Sequence, residues 1–220
     1  MKKGIYLIII LLFPSIIYML FSLGEHKVKR VGYFGEYSVQ EGDTTYNPVP
    51  LLSLRSSDGE HLSTDDLRGR VVIINLINWP CDEECYKQGA TLANYLNDLG
   101  NNEQWVLYTI SIDTGTSLEE LADHSSKYIV EMTNWSFLMP TNQEELNAWL
   151  DYLFVQTGRV SSITDLPSEE FVMLDQNGII REYFNSGIYK ENKKMQDALK
   201  MLLKEPHLSW KDENSENSDE

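Results

Sequence analysis

Cysteine is scarce in this chain of 220 residues: there are two, Cys81 and Cys85. Two thiols cannot build a disulfide scaffold, so stability has to come from a packed core. Basic residues are also few, 18 Lys and Arg against 34 Asp and Glu, for a net charge of −16. The first 30 residues carry five basic and one acidic side chain, a surplus of four, which leaves the remainder near −20. Such a surface repels phosphates and excludes nucleic acid as a partner. It is most simply a solvated, soluble face. Internal repeats are absent. Long apolar runs are absent too, with one exception. Residues 4–23 carry no charge, and twenty helical residues at about 1.5 Å each cross roughly 30 Å of hydrocarbon. Neither a small-x-small cleavage site nor a lipobox cysteine follows. The run therefore reads as an uncleaved transmembrane anchor. Lys2 and Lys3 before it are balanced by Lys27, Lys29 and Arg30 after it, so charge does not set the orientation. A very short N-terminal tail and a long C-terminal domain fit a domain on the extracytoplasmic side of the cell membrane.

What is present centres on the two thiols. Val71–Ile77 is a largely branched apolar run with Asn75 as its one polar residue, a buried strand by its pattern. Asn78-Trp79-Pro80 ends it. Cys81-Asp82-Glu83-Glu84-Cys85 then opens a segment, Tyr86–Leu99, with apolar residues at helical spacing (Leu92, Tyr95, Leu96, Leu99). Thiols at a helix start are activated, because the partial positive charge there favours thiolate. One turn apart, the sulfurs can close a disulfide or chelate one soft metal ion. Glu83 and Glu84 have two readings. They can accept protons, or they can simply complement the helix dipole. As neighbouring anions they also oppose thiolate formation. Trp79 and Pro80 either shield Cys81 or merely pack the turn.

The rest of the chain reads as alternating strands and helices. Residues 24–48 form a juxtamembrane linker, with Tyr33, Phe34, Tyr37 and Tyr46 expected at the membrane interface or packed on the domain. Residues 49–205 are globular. A hairpin is predicted over Leu51–Leu54 and Glu60–Leu62, followed by a short capped turn at Ser63–Leu67. A second strand follows over Trp105–Ile112. A helix over Ser117–Tyr128 has Ser117 as its cap and Glu119–Glu120 in its first turn. A short strand spans Trp135–Met139, a helix Thr141–Phe154, and a hairpin Phe171–Leu174 with Ile179–Phe184 around Asp175-Gln176-Asn177-Gly178. An amphipathic helix over Asn192–Leu203 closes the domain. Residues 206–220 are an acidic tail without a packing pattern. This order predicts an α/β fold of thioredoxin-like type, extended by an N-terminal hairpin and preceded by one transmembrane helix.

These residues resemble the Sco/SenC family of membrane-anchored thioredoxin-like proteins. The resemblance spans roughly residues 48–205 and the anchor. It is carried by Asp58-Gly59, Asp66-Leu67-Arg68-Gly69-Arg70-Val71-Val72, Cys81-x3-Cys85, Ser111-Ile112-Asp113 and Leu174-Asp175-Gln176-Asn177-Gly178. It implies a part in maturing the copper site of a respiratory oxidase, by carrying copper or by reducing the target's cysteines. Cys81 and Cys85 would be the catalytic dithiol and the copper ligands. Two departures stand out. The family's Cys-Pro-x-x-Cys-Pro lacks both prolines here. The family's metal-binding histidine precedes a serine, eight residues before the hairpin aspartate; in this chain Pro167 stands there, ahead of Ser168. Copper(I) favours two thiolates and an imidazole, so the departure predicts that Pro167→His would tighten copper binding and that thiol–disulfide exchange is the leading function. A copper(I) chaperone with an unidentified third ligand is the alternative. None of His26, His61, His124 and His207 matches the family position. Each is expected to be a bystander, His124 being the least remote because it lies within the folded domain. Pro167 has a second reading, as a cis-proline platform facing the dithiol, although without a gap that position falls on Glu169.

The thiol mechanism runs through a mixed disulfide that the second cysteine resolves, with Cys81 expected to attack. A respiratory oxidase subunit or another thiol protein is the expected partner. A non-catalytic binding module is the remaining alternative, but so short a disulfide loop adds little chain-entropy stabilisation. A peroxidase would need Thr and Arg around the cysteine, and no such frame surrounds Cys81.

Overall fold

A computed structural model describes residues 12–13, 31–40, 42–97, 100, 102–128, 133–167 and 169–207. The chain divides into two units, Met1–Arg30 and Val31–Glu220. The anchor expected over residues 4–23 lies outside the described residues except for Leu12 and Phe13, and so does the acidic tail beyond His207. Among the described residues no helix is long and apolar enough to cross a membrane.

The second unit is built on one seven-stranded sheet in the order β4-β3-β7-β6-β5-β8-β9. Its centre is β5 (Val71–Ile77) beside β6 (Trp105–Ser111), which run parallel with Ile77 opposite Ser111. All seven residues of each strand are buried. Strands covered on both faces are apolar nearly throughout, which explains the near-continuous runs in the sequence, where Asn75, Thr109 and Ser111 are the buried polar residues. β7 (Trp135–Pro140) joins β6 in parallel. β8 (Glu170–Leu174) and β9 (Ile180–Asn185) form the antiparallel hairpin on the other side of β5. Asp175 closes that hairpin: its Oδ1 accepts from the N–H groups of Asn177 and Ile179 at 2.9 and 3.1 Å, and Gly178 takes φ +76°. The predicted first hairpin lies at the opposite edge as β3 (Ser53–Ser56) and β4 (His61–Ser63), with β3 paired to β7.

Alternation along the central strands sorts the core into two layers. Val71, Ile73, Trp105, Leu107, Phe171 and Met173 face α1 (Glu83–Asn97) and α4 (Tyr189–Lys204) through Leu92, Met195, Leu199 and Leu202. Val72, Ile74, Val106, Tyr108 and Ile110 face α3 (Gln143–Leu150) through Leu146, Trp149 and Leu150. Asn142 caps α3, and the helix predicted to run to Phe154 instead changes to a π turn over Asp151–Val155. α2 (Leu118–Ser126) packs on β7 and opens with a reciprocal capping box between Ser117 and Glu120.

Part of the stretch predicted as a linker packs on the domain. Phe34 bridges Ile180 and meets Tyr183 edge-on at 5.3 Å. β1 (Tyr37–Gln40) and β2 (Asp43–Tyr46) form a separate hairpin, and the Tyr152 hydroxyl donates to Asn47 O at 2.7 Å.

Candidate functional site

β5 and β6 deliver their C-terminal ends side by side, and the Ile112 N–H donates to Ile77 O at 3.0 Å. Each strand is followed by a short loop and a helix. The loop after β5 carries the cysteines; the loop after β6 leads into α2. The Trp79–Pro80 peptide is cis, and the Trp79 indole N–H donates to Glu120 at 3.3 Å, which ties the two loops together. That hydrogen bond and those of Ser117 hold the Glu120 carboxyl below its ordinary range, the Ser117 contribution being the largest. Asp82 accepts the Cys85 N–H at 3.0 Å in the manner of an N-cap, so the second cysteine sits in the first turn of α1.

Cys81 and Cys85 form a disulfide, with Cα atoms 5.5 Å apart, an ordinary separation for such a bond. Both are half-buried, so exposure does not single out Cys81 as the attacking thiol. Glu83 and Glu84 lie on the exposed side and pair with Lys87 at 3.2 and 3.7 Å.

The structure adds a residue that sequence reasoning set aside. His124, on α2, is fully buried, and one of its ring nitrogens and the two sulfurs all lie within 4.8 Å of one another. Nε2 meets the Tyr128 hydroxyl at 3.2 Å, while Nδ1 has no hydrogen-bond partner among the described residues. The neutral ring carries one proton: if Nε2–H donates to the tyrosine oxygen the lone pair is on Nδ1, and if the tyrosine hydroxyl donates to Nε2 the proton is on Nδ1. The imidazole is enclosed by Trp79, Tyr86, Tyr128 and Phe137, with centroids 5.8, 4.9, 5.2 and 5.6 Å away. Burial, and secondarily the charge of Lys127, lowers its pKa to about 4, so it is neutral at physiological pH. Burial likewise pushes Tyr128 up to about 12, which keeps its hydroxyl protonated. Lys127 is held outside this cluster by the Tyr86 hydroxyl at 2.8 Å and Asp123 at 3.0 Å. A reduced Cys81/Cys85 pair and a neutral imidazole are a donor set that suits copper(I), with two soft sulfurs and one borderline nitrogen. The expectation of a bystander at His124 gives way to this geometry.

The signal for His124 was present but weak. Leu121 and His124 stand three residues apart, on one face of a helix whose start is fixed by Ser117. Leu121 is buried, so His124 points inward with it.

The remaining predicted positions lie elsewhere. Pro167 is half-buried in the loop before β8. Among the described residues the cis peptide precedes Pro80 and not Pro167, so the platform reading of Pro167 does not hold; Glu169 instead lines a groove together with Cys85. His61 lies exposed on β4, and His26 is outside the described residues.

No family model and no curated protein matches the sequence. Solved structures do match. A Sco-family cytochrome c oxidase assembly protein described as carrying a disulfide switch is 16% identical, with a TM-score of 0.61, over 80% of this chain and 96% of its own. A SCO1/SenC-family lipoprotein from Bacillus anthracis is 19% identical, TM-score 0.58, over 70% and 94%. Copper-bound Sco1 from yeast is 16% identical, TM-score 0.56, over 73% and 94%. At these identities the likeness establishes the fold, the thioredoxin-like α/β architecture of Sco proteins.

Proposed function

We propose that this chain is a Sco/SenC-type protein anchored by residues 4–23, with its domain on the extracytoplasmic side. Its Cys81/Cys85 dithiol serves the assembly of a respiratory oxidase copper site. In the oxidised state the sulfurs are bonded to each other and offer no thiolate to a metal. In the reduced state they exchange with a target disulfide, or hold copper(I) together with His124. The observation that carries this reading is the buried His124, one ring nitrogen of which lies in the same cluster as both sulfurs. It supplies the imidazole that Pro167 cannot. Because the imidazole is already neutral, copper(I) need not compete with a proton there at neutral pH.

Competition of the reduced chain against a copper(I) chelator is the test. One copper(I) per chain is expected, lost in Cys81→Ser and Cys85→Ser and weakened at least about tenfold in His124→Ala. Equal affinity in His124→Ala and the natural chain would remove His124 from the site. Exchange with a small disulfide probe but no copper binding would leave the thiol–disulfide role alone. The anchor is tested separately in spheroplasts: added protease is expected to reach the domain, and a mature protein beginning after residue 24 would refute the anchor.

A further inference from the structure

α1 meets the segment that carries His124 through two pairs of residues, each pair one helical turn apart. On α1 these are Cys85 and Gly89. Opposite them, along and just past α2, are His124 and Tyr128. Cys85 and His124 belong to the cluster of sulfurs and imidazole. Gly89 faces Tyr128. This glycine is buried and lies inside α1, where glycine weakens a helix relative to alanine. The backbone does not ask for it, since Gly89 is not among the glycines of positive φ. Space does. A Cβ on Gly89 would stand 2.5 Å from Cε1 and Cζ of Tyr128 and nearer still to its hydroxyl oxygen, whereas real Cβ contacts essentially never fall below 3.0 Å. The ring has little room to give way. It stacks on Phe137 at 5.7 Å, leans on Trp135 at 5.0 Å, and meets His124 edge-on at 5.2 Å.

We infer that Gly89 is a positioning residue of the Cys81/Cys85/His124 site: carrying no side chain, it lets the Tyr128 ring lie against α1 with its hydroxyl on Nε2 of His124, and so holds the imidazole beside the sulfurs. The inference rests on the copper reading of His124 above and adds a requirement on α1 to it. Gly89 supplies no ligand atom; its effect runs through Tyr128 to the imidazole. Ordinary contact with a Cβ begins at 3.4 Å, so a methyl group at position 89 would force the ring tip to retreat by about 1 Å. A hydrogen bond of 3.2 Å does not keep its geometry through a displacement of that size. The imidazole cannot follow, because four aromatic rings enclose it. Helix strength and the metal site therefore make opposite demands on one position. Alanine at 89 would favour the helix and crowd the site.

The test uses the full chain in detergent and three variants, Gly89→Ala, Tyr128→Phe and the two combined. Competition of the reduced proteins against a copper(I) chelator is expected to show a loss of about tenfold in Gly89→Ala, the effect of removing the partner of a ligating histidine. Tyr128→Phe should lose as much. The combined variant should fall less than about threefold below either, because both changes remove the same contact. Exchange with mercaptoethanol disulfide should stay within about twofold of the natural rate. A metal-free reading comes from ring-nitrogen NMR of the oxidised chain with isotope-labelled histidine. The His124 Nε2 signal is expected to move in the same direction in Gly89→Ala as in Tyr128→Phe, which a merely weakened fold would not produce. Should Gly89→Ala not fold, melting curves in a Tyr128→Ala background read the same pair. With the ring gone the methyl fits, and Gly89→Ala is expected to melt no lower than its parent. A penalty that persists there overturns the inference. So does an affinity in Gly89→Ala within about twofold of the natural one while Tyr128→Phe binds weakly. A combined loss of about a hundredfold overturns it as well, since the two residues would then act independently. A natural chain that binds no copper(I), or one indifferent to both His124→Ala and Tyr128→Phe, overturns the His124 reading and this inference together.

Discussion

The His124 imidazole and the Tyr128 hydroxyl are 3.2 Å apart, one helical turn from each other, at the end of α2. The contact gives Nε2 a fixed partner, beside the cluster that one ring nitrogen forms with the two sulfurs. Partners of this kind set the tautomer and orientation of a ligating histidine, and their loss typically costs about 10–100-fold in metal affinity. Tyr128→Phe keeps the ring stack on Phe137, 5.7 Å between centroids, and removes only the hydroxyl. Copper(I) affinity is expected to fall about tenfold, while the rate of exchange with mercaptoethanol disulfide stays within about twofold, because that step uses the sulfurs alone. Chelator competition and exchange kinetics on one preparation check both.

The same imidazole makes stability depend on pH. Folded His124 takes its proton near pH 4 because it is buried, whereas its ordinary value is 6.5. Between those values the unfolded chain binds more protons than the folded one. Stability therefore rises with pH across that window and is lost as pH falls from 6.5 toward 4. The contribution is on the order of 2–3 kcal/mol. In the metal-free, disulfide-bonded chain, His124→Leu is expected to flatten the pH dependence of the denaturation midpoint between about 4 and 6.5 by that amount. Carboxylates titrate in both proteins, so the difference between the two curves is the measurement; parallel curves would mean that His124 is accessible to protons in the folded state.

Why the sequence discloses Cys81 and Cys85 but not His124 is a matter of range. The cysteines are one helical turn apart, and their chemistry follows from local spacing. β5 and β6 are legible because burial on both faces leaves few polar residues: Asn75 and Thr109, which bond each other at 3.3 Å, and Ser111 at the end of β6. The start of α2 is legible through Ser117 and Glu120. His124 joins the cysteines only because β5 and β6 pair in parallel with Ile77 opposite Ser111, a register that no local pattern encodes. Residues 31–34 were opaque for a related reason. They dock largely through backbone carbonyls, which leave no periodicity to read.

Beside the Phe34 bridge to Ile180, that docking is held by Arg181. Arg181 is 1% exposed and donates to Val31 O at 3.0 Å, Gly32 O at 2.7 Å, Asp175 at 3.1 Å, and both Glu205 oxygens at 2.7 and 3.0 Å. Its guanidinium also lies 3.8 Å from the Tyr33 ring centre. Arg181→Met would leave the buried Asp175 carboxylate without its cation, and removing one partner of a buried pair costs about 3–5 kcal/mol. Urea denaturation is expected to show a loss of that size. Hydrogen exchange should show faster exchange at the Phe34 N–H, which bonds Ile180 O at 2.8 Å. A loss under about 1 kcal/mol would mean that the cluster behaves as a surface pair.

The disulfide itself should be reversible. Alkylation followed by mass spectrometry is expected to find no labelled thiol in the oxidised chain and two after dithiothreitol, since the chain has only Cys81 and Cys85. A pair that stays unlabelled after reduction would remove both the exchange role and the copper site.

Pro167 decides between the site suggested by the chain's resemblance and the site suggested by its geometry. If the third ligand belongs in the loop before β8, the natural chain has none, and Pro167→His should tighten copper(I) binding strongly. If His124 is the ligand, three soft or borderline donors are already in place, and copper(I) gains little from a second imidazole. The expected outcome is a change of less than about threefold on Pro167→His in the natural background. Adding Cys81→Ser or Cys85→Ser should abolish tight binding with either residue at 167. Chelator competition on reduced protein reads all of these affinities on one scale. A gain of about tenfold or more on Pro167→His, combined with indifference to His124→Ala, would return the ligand to the β8 loop and leave His124 as a packed core residue. A Pro167→His chain that binds like the natural one, combined with a loss on His124→Ala, would establish that the imidazole reaches the same two sulfurs from α2.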